Sequence, residues 1–529
     1  MQAGAPSDGK LPPSEQSSSA RAVFASRPVL AALAVASCAL LFELTPALAR
    51  YRLFGKRPID ETKSTAVAAP PSSAAVGEST LGLETTAPPT APGATDLAPA
   101  EASEARALEQ APPVPLLDPS GRALAGFFAA LRRTEQKQAG AITRIAHFGD
   151  SIIVSDYVSG TLRRKLQAKF GDSGHGFVLI ANAWPAYFHN DVSRYATAGF
   201  NVSRIVGPYA ADGLYGLGGV SFSTPPNVLS RIGTAESGDF GRKVSRFSLY
   251  YLEQPQGGVL ELSVDGGPPS ELSTAGDGVR SKAHSLDVPD GAHTLSLQTK
   301  RGTSRLFGVV LEREAPGVVL DALGVQGARI RFMDKQDDQH WADQLRLRSP
   351  QLLVYQFGAN ESADGFLYPM PDYHRTMREV LEQGKRALPE SSCLVIGAMD
   401  RAAKVGDEIV SLRVMPELLA NQKRAALDAG CAFFDTWTAM GGARSMPRWV
   451  KKGLGQADLT HPTAVGAEII GTWIYRALLQ SYSAWTAGVT GTAPAGASAG
   501  SVPAPPGARD GAAVASGGGA SVTSARPAE

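Results

Sequence analysis

Between residues 140 and 480, short apolar runs alternate with stretches whose large apolar residues recur at helical spacing. Runs at 142–148, 317–323, 351–357, 393–397 and 431–434 are too short for helices and read as buried strands. Leu162, Leu166 and Phe170 mark a helix after the first run, and further helices are predicted near 337–347, 372–387 and 411–429 and after His461. Alternation of this kind predicts a parallel sheet wrapped by helices, an α/β fold with its ligand chemistry at the carboxyl ends of the strands.

Residues 190–315 break the rhythm. Period-two runs at 246–252 and 259–264 are followed by the turn signals Asp265-Gly266-Gly267 and Asp290-Gly291, which predicts an all-β, sandwich-like insertion. A stretch this long inside a compact domain is a unit of its own or serves function. The α/β domain therefore reads as two parts, 118–189 and 316–481.

The flanks differ again. In 1–49, Lys10, Arg21 and Arg27 precede an apolar run at 29–42, and Ala47, Leu48 and Ala49 follow it. This is an export leader, either cleaved after Ala49 or retained over 28–49 as a single anchor, since the run alone falls short of the roughly 20 residues of a comfortable span. Residues 35–38, ending at Cys38, also resemble a lipoprotein cleavage box. Residues 50–117 are rich in Ala, Pro, Thr and Ser and read as a disordered linker, as does the Ala/Gly/Pro-rich tail 482–529.

Composition narrows the function. The 529 residues allow two or three domains, and 51 basic against 50 acidic side chains leave no overall field to attract nucleic acid or anionic lipid. Arg163, Arg164 and Lys165 read as the solvated face of a helix. Three cysteines exclude a disulfide scaffold, and none has zinc-ligand spacing; Cys393 and Cys431 lie in apolar runs, as small hydrophobes or as a pair in an oxidising compartment. No phosphate loop or cofactor fingerprint stands out, so neither a cofactor nor a metal is expected.

The candidate chemistry sits at strand ends. Gly149, Asp150 and Ser151 stand where the first strand gives way to a helix, exposing a hydroxyl beside a helix N-terminus. Asp458 and His461 form an Asp-x-x-His before Pro462, a spacing that lets the carboxylate orient the imidazole as a base. Asp337 and His340 repeat that spacing, but in a polar helix where an exposed face explains them. His147 is expected to pack at a strand end and His374 to lie on a helix surface. Gly358, Ala359, Asn360 and Glu361 end one further strand, and Gly324 to Ala328 end another; each offers either oxyanion donors or a plain turn.

Four such blocks, in this order and each after its own strand, resemble the SGNH (GDSL-like) hydrolase superfamily over roughly 140–190 and 316–480. The resemblance implies a three-layer, flavodoxin-like domain with Ser151 as nucleophile and Asp458 and His461 completing a triad. It implies an oxyanion hole from the Ser151 N–H, Gly327 and Asn360, with Gly324 the rival of Gly327, and it argues against Asp337 and His340. The phrase 147–177, Asn360-Glu361-Ser362 and Met440-Gly441-Gly442 are similar to bacterial peptidoglycan O-acetylesterases with a β-sandwich inserted before the glycine block. Ile152 and Ile153 depart from the residues usual after the serine.

The resulting expectation is an extracytoplasmic, periplasmic serine esterase that removes O-acyl groups, O-acetyl above all, from a polysaccharide or peptidoglycan. It would be secreted or held at the inner membrane by 28–49. An O-acyltransferase using the same triad and an inactive glycan-binding envelope protein are the competing readings.

Overall fold

A computed structural model describes residues 83–84 and 99–491. The leader with its cleavage or anchor alternatives, most of the linker, and the tail beyond 491 lie outside the described residues. Among the described residues no helix is long and apolar enough to cross a membrane.

Five strands form the central sheet: β1 (Ile142–Gly149), β2 (Gly317–Gly324), β3 (Leu352–Gln356), β4 (Ser392–Ile396) and β5 (Ala432–Phe434). Their order is β2-β1-β3-β4-β5, all parallel. β3 and β4 are buried throughout, which is why they read as unbroken apolar runs. Successive residues face opposite layers. Leu352 and Val354 pack with residues of helices Ala125–Glu135, Tyr157–Phe170 and Ala464–Gly491, while Leu353 and Tyr355 pack with those of Asp338–Arg348, Met370–Ala387 and Met415–Asp428. The three-layer α/β domain expected from the sequence is the one observed.

Register fixes the active edge. Gly149 at the end of β1 stands opposite Gly324 of β2 and Gln356 of β3, so three carboxyl ends finish level. β1 lies between them, at the point where strand order reverses, and this is where an open α/β sheet leaves a crevice.

The insertion consists of two antiparallel sheets. One includes Val192–Ala196, Leu229–Thr234, Thr294–Arg301 and Val259–Val264, and the other includes Arg280–Gly291, Val244–Glu253, Ser304–Glu312 and Val220–Thr224. Leu260, Leu262, Leu295 and Leu297 from the first share a core with Phe222, Phe247, Leu249 and Val309 from the second. This is the sandwich the period-two patterning predicts. Its lower boundary moves, however: Gly176–Val178, expected in the α/β domain, pairs with Ser304–Glu312.

Buried charges join the sandwich to the sheet. Arg348, at the end of helix Asp338–Arg348, meets Asp321 of β2 at 2.6 Å and Glu312 of the insertion at 2.5 Å. Arg144 of β1 holds Glu312 from the other side at 2.7 Å. Burial opposes the charge on Glu312, but the two guanidiniums draw its carboxyl down to about 2.

Three other expectations are corrected. The linker was expected to run disordered to 117, yet Pro99–Gln110 is a helix packed on Ala464–Gly491, Leu117 pairs with Phe433, and Leu83–Glu84 adds to the insertion's first sheet. The tail was expected from 482, yet the last helix runs to Gly491; Tyr482 is buried and donates to Glu135 at 2.6 Å. Arg163 is not part of a solvated face. Consecutive residues on a helix diverge by about 100°, so Arg163 turns inward beside Arg164 and Lys165 and grips Asp156 through both carboxylate oxygens.

Cys393 and Cys431, whose pairing the sequence left open, form a disulfide between the neighbouring β4 and β5 segments, 38 residues apart in the chain. A loop of that length stabilises by roughly 3–4 kcal/mol through the unfolded state. Replacing both residues (Cys393→Ser with Cys431→Ser) should lower the urea unfolding free energy by about that amount. An unchanged midpoint would show that the bridge contributes nothing.

Candidate active site

Ser151 opens the short helix Ser151–Val154 immediately after β1. Asp150 caps this helix by accepting from the Ile152 N–H at 3.1 Å. Gly149 is required just before it, because a Cβ there would stand 2.4 Å from Ile153 and 2.8 Å from the Gln356 carbonyl. The turn therefore presents the Ser151 hydroxyl at the sheet edge, half-buried.

His461 arrives from the opposite end of the chain. Its Nε2 lies 2.8 Å from Ser151 Oγ, and its Nδ1 lies 2.6 Å from Asp458 Oδ2. The Nδ1–H tautomer satisfies both bonds, leaving Nε2 to accept from the hydroxyl. Asp458 also receives the backbone N–H groups of Thr460 and His461, each at 3.0 Å. Burial works against its charge, yet these bonds and the imidazole hold its carboxyl below the usual range. Leu459 sits between them at φ 59°, a left-handed conformation unfavourable for a side chain with a Cβ, so the tight turn stores strain.

The expected oxyanion residues come together as well. Asn360 is the second residue of helix Ala359–Asp364 after β3, and its Nδ2 donates to the Ala328 carbonyl at 2.9 Å, which ties it to the loop carrying Gly327. That bond leaves the second amide hydrogen uncommitted. Gly327 has φ 79°, open space where a Cβ would be, and an N–H without a partner among the described residues. Gly324 has a different task. It lies within β2, where a Cβ would come 2.4 Å from the Val154 nitrogen, so its glycine lets the serine helix pack on the strand.

Ser151 and His461 line a cavity of about 220 Å³ with Ile152, Tyr157, Gln326 and Gln456. A narrower cleft, lined by Asp150, Ile152, Ala359, Arg401 and Thr460, shares Ile152 with it.

The remaining candidates fall elsewhere. His340 is buried rather than on an exposed face: its Nε2 lies 2.8 Å from the Tyr215 carbonyl and its ring packs on Phe307, because the insertion covers that helix. Asp337 caps the helix by accepting from the His340 N–H. His147 packs in β1 against Gln356 at 3.1 Å, and burial lowers its pKa to about 4. His374 pairs with Asp428 on a helix surface. Gly441 and Gly442 take left-handed conformations and end helix Thr436–Met440. Among the described residues, Asp156, His175 and His189 are close enough to hold a metal. The Asp156 carboxylate is already taken by Ser159, Arg163 and the Asn190 N–H, and the two imidazoles bond each other at 3.0 Å.

Two groups at the site were not singled out in the sequence. Arg401 follows β4, and its guanidinium donates to the Ala359 carbonyl beside Asn360. Its signal was a charged pair, Asp400 and Arg401, just beyond an apolar strand on the active edge. Asp150 was noticed only as part of a motif; burial pushes its carboxyl up to about 6 against the pull of the Ile152 N–H and His461.

Residues 274–469 match the GDSL-like Lipase/Acylhydrolase family. No curated protein matches the sequence. A solved peptidoglycan O-acetylesterase shares the fold at 22% identity, over 70% of this chain and 99% of its own, with a TM-score of 0.60. A family two carbohydrate esterase from Cellvibrio japonicus (12% identity, 56% and 99% coverage, TM-score 0.23) and an acetylxylan esterase from Geobacillus stearothermophilus (18%, 32% and 73%, TM-score 0.24) are also similar. Residues 274–469 thus carry a GDSL-like hydrolase domain, which places the chain among ester hydrolases by class.

Glu361, beside Asn360, is fully buried; its Oε1 accepts from the Ile330 N–H at 2.7 Å and its Oε2 has no partner among the described residues. Burial, helped by the Asp150 charge, raises its pKa from 4.5 to about 7. The fold thus favours the protonated form, a contribution complete below pH 4.5 and lost as pH rises through 7. Glu361→Gln keeps the acceptor without the charge. Relative to the parent it should gain on the order of 2–3 kcal/mol between pH 5 and pH 8, read from urea unfolding at both pH values. A difference independent of pH would contradict this.

Proposed function

We propose that the chain is an extracytoplasmic serine esterase that removes O-acyl groups, chiefly O-acetyl, from a polysaccharide or peptidoglycan through an acyl-serine intermediate. The observation that carries this reading is the unbroken relay from Ser151 Oγ through His461 to Asp458. His461 Nε2 takes the hydroxyl proton as Ser151 attacks the ester carbonyl, and Asp458 stabilises the imidazolium that forms. The tetrahedral oxyanion is held by the Ser151 N–H, the Gly327 N–H and the free hydrogen of the Asn360 amide. Collapse expels the alcohol with the proton from His461, and water, activated by the same imidazole, releases the acid.

The substrate class rests on the shared fold with a peptidoglycan O-acetylesterase and on a cavity wider than an acetyl group requires, with room for part of a sugar. The location is supported by the export leader and by the Cys393–Cys431 disulfide, which suits an oxidising compartment. The leader's charged flank and apolar run fit secretion or an inner-membrane anchor over 28–49.

Acetate release from O-acetylated glycans should fall by at least about a thousandfold in Ser151→Ala, and labelling by a fluorophosphonate should vanish with it. Asp458→Asn should reduce kcat with little change in KM. Equal acetate release by parent and Ser151→Ala would rule the mechanism out.

A further inference from the structure

A second cavity is lined by Ser362, Phe366, Arg401, Leu412 and Arg413 among others. The cleft beside the triad lies between the two in its lining, sharing Ile152 with the first cavity and Arg401 with the second. Arg401 is half-buried, and its desolvation penalises the charge more than the carboxylates of Asp458, Asp150 and Asp364, none of them in contact with it, restore. Other partly buried or buried arginines offset that penalty: Arg144, Arg313, Arg329 and Arg348 each contact a carboxylate, and Arg194 and Arg204 lie over Tyr187 and Trp184. Among the described residues, Arg401 has neither a contacting carboxylate nor a ring beneath it. One of its nitrogens, Nη1, donates to the Ala359 carbonyl and, at 3.5 Å, to Ser362 Oγ. Nε and Nη2 have no partner among the described residues.

The rest of the second cavity fits the same charge. None of its lining residues is acidic, and Arg413, exposed and without an ion pair among the described residues, adds a second cation. Phe366, 60% exposed, offers an aromatic face of the kind on which a sugar ring stacks.

We propose that Arg401, assisted by Arg413, binds a carboxylate on the glycan part of the ester, and that the Phe366 cavity is the subsite for the sugar unit bearing it. This rests on the esterase reading above. A planar guanidinium with two free donors matches a carboxylate in two-point contact, and a partly desolvated one gains more from it than a surface lysine would. The carboxylate is supplied either by a uronic acid or by the acid groups of a peptidoglycan unit. Through its bond to Ala359, Arg401 also holds the segment that carries Asn360, so a bound carboxylate and the oxyanion donor share one support.

The test uses the full chain and three acetyl esters: an O-acetylated peptidoglycan fragment, an O-acetylated uronate oligosaccharide and an O-acetylated neutral xylo-oligosaccharide. Arg401→Gln should lower the ratio of kcat/KM for a carboxylate-bearing ester over the neutral one by about tenfold or more, mainly through KM. Arg413→Ala, at an exposed position that cannot disturb the fold, should lower it about threefold. The ester whose ratio falls identifies the source of the carboxylate. Binding of the corresponding de-acetylated glycans, followed by calorimetry, should weaken by similar factors and requires no turnover. Equal losses on charged and neutral esters, with unaltered glycan binding, would reduce Arg401 to a support for Asn360 and overturn the proposal. A parent that binds these glycans in an Arg401-dependent way but hydrolyses none of them would instead refute the esterase reading and leave the subsite standing.

Discussion

The site depends on strand register. Because Gly324, Gly149 and Gln356 end level, the three segments that follow β1, β2 and β3 emerge at one height on neighbouring strands. A serine, a loop of free N–H groups and an asparagine amide then converge without long side chains having to reach. Shifting any of these parallel ladders by one residue would move a strand end by about 3.3 Å and turn its side chains to the other layer. Such a displacement is larger than the tolerance of a hydrogen-bonded relay. The two glycines at the strand ends are there for the same reason, since each lets the serine helix rest directly on the sheet.

Buried charge is the second organising feature. The pairs Arg163–Asp156 and Arg348–Asp321 cost desolvation, and apolar residues of equal volume would stabilise as well. What they provide is a directional fit. Arg163 fixes Asp156, whose carboxylate receives the Asn190 N–H and so places the segment behind the serine cavity. Arg401 stands out against this background because it is half-buried yet, among the described residues, forms no ion pair, the carboxylates of Asp458, Asp150 and Asp364 acting on it only from beyond contact distance.

Much of this was legible in the sequence. The five strands could be read because burial on both faces removes polar interruptions, and the Asp458–His461 pair could be read because its spacing has a geometric meaning. Where the reading failed, the missing information was a distant partner. Residues 99–110 look like linker because Ala105 and Leu108 are too few to mark an apolar stripe; they are held by helix Ala464–Gly491, whose Trp473 donates to the Leu108 carbonyl. Arg163 could not be told from Arg164 without Asp156, which Arg163 grips, and Asp191, which meets Arg164 at 2.8 Å. The cysteine pairing needed the adjacency of β4 and β5, which no spacing of 38 residues reveals. Arg401 escaped because its meaning lies in what it does not contact.

The ties between sandwich and sheet bear on how this chain can be divided. Residues 190–315 look like a module that could be exchanged or removed, but Glu312 belongs to the insertion while Arg144, Asp321 and Arg348 belong to the sheet. Cutting there would strip Arg144 of its counter-charge and leave Arg348 with one carboxylate instead of two, in a cavity opened to water. Gly176–Val178 would lose its hydrogen-bonded neighbour as well. The two architectures therefore share a seam of buried charge and a common strand pairing. Variation in substrate choice would then be carried by residues on the rim, leaving the seam between sandwich and sheet intact.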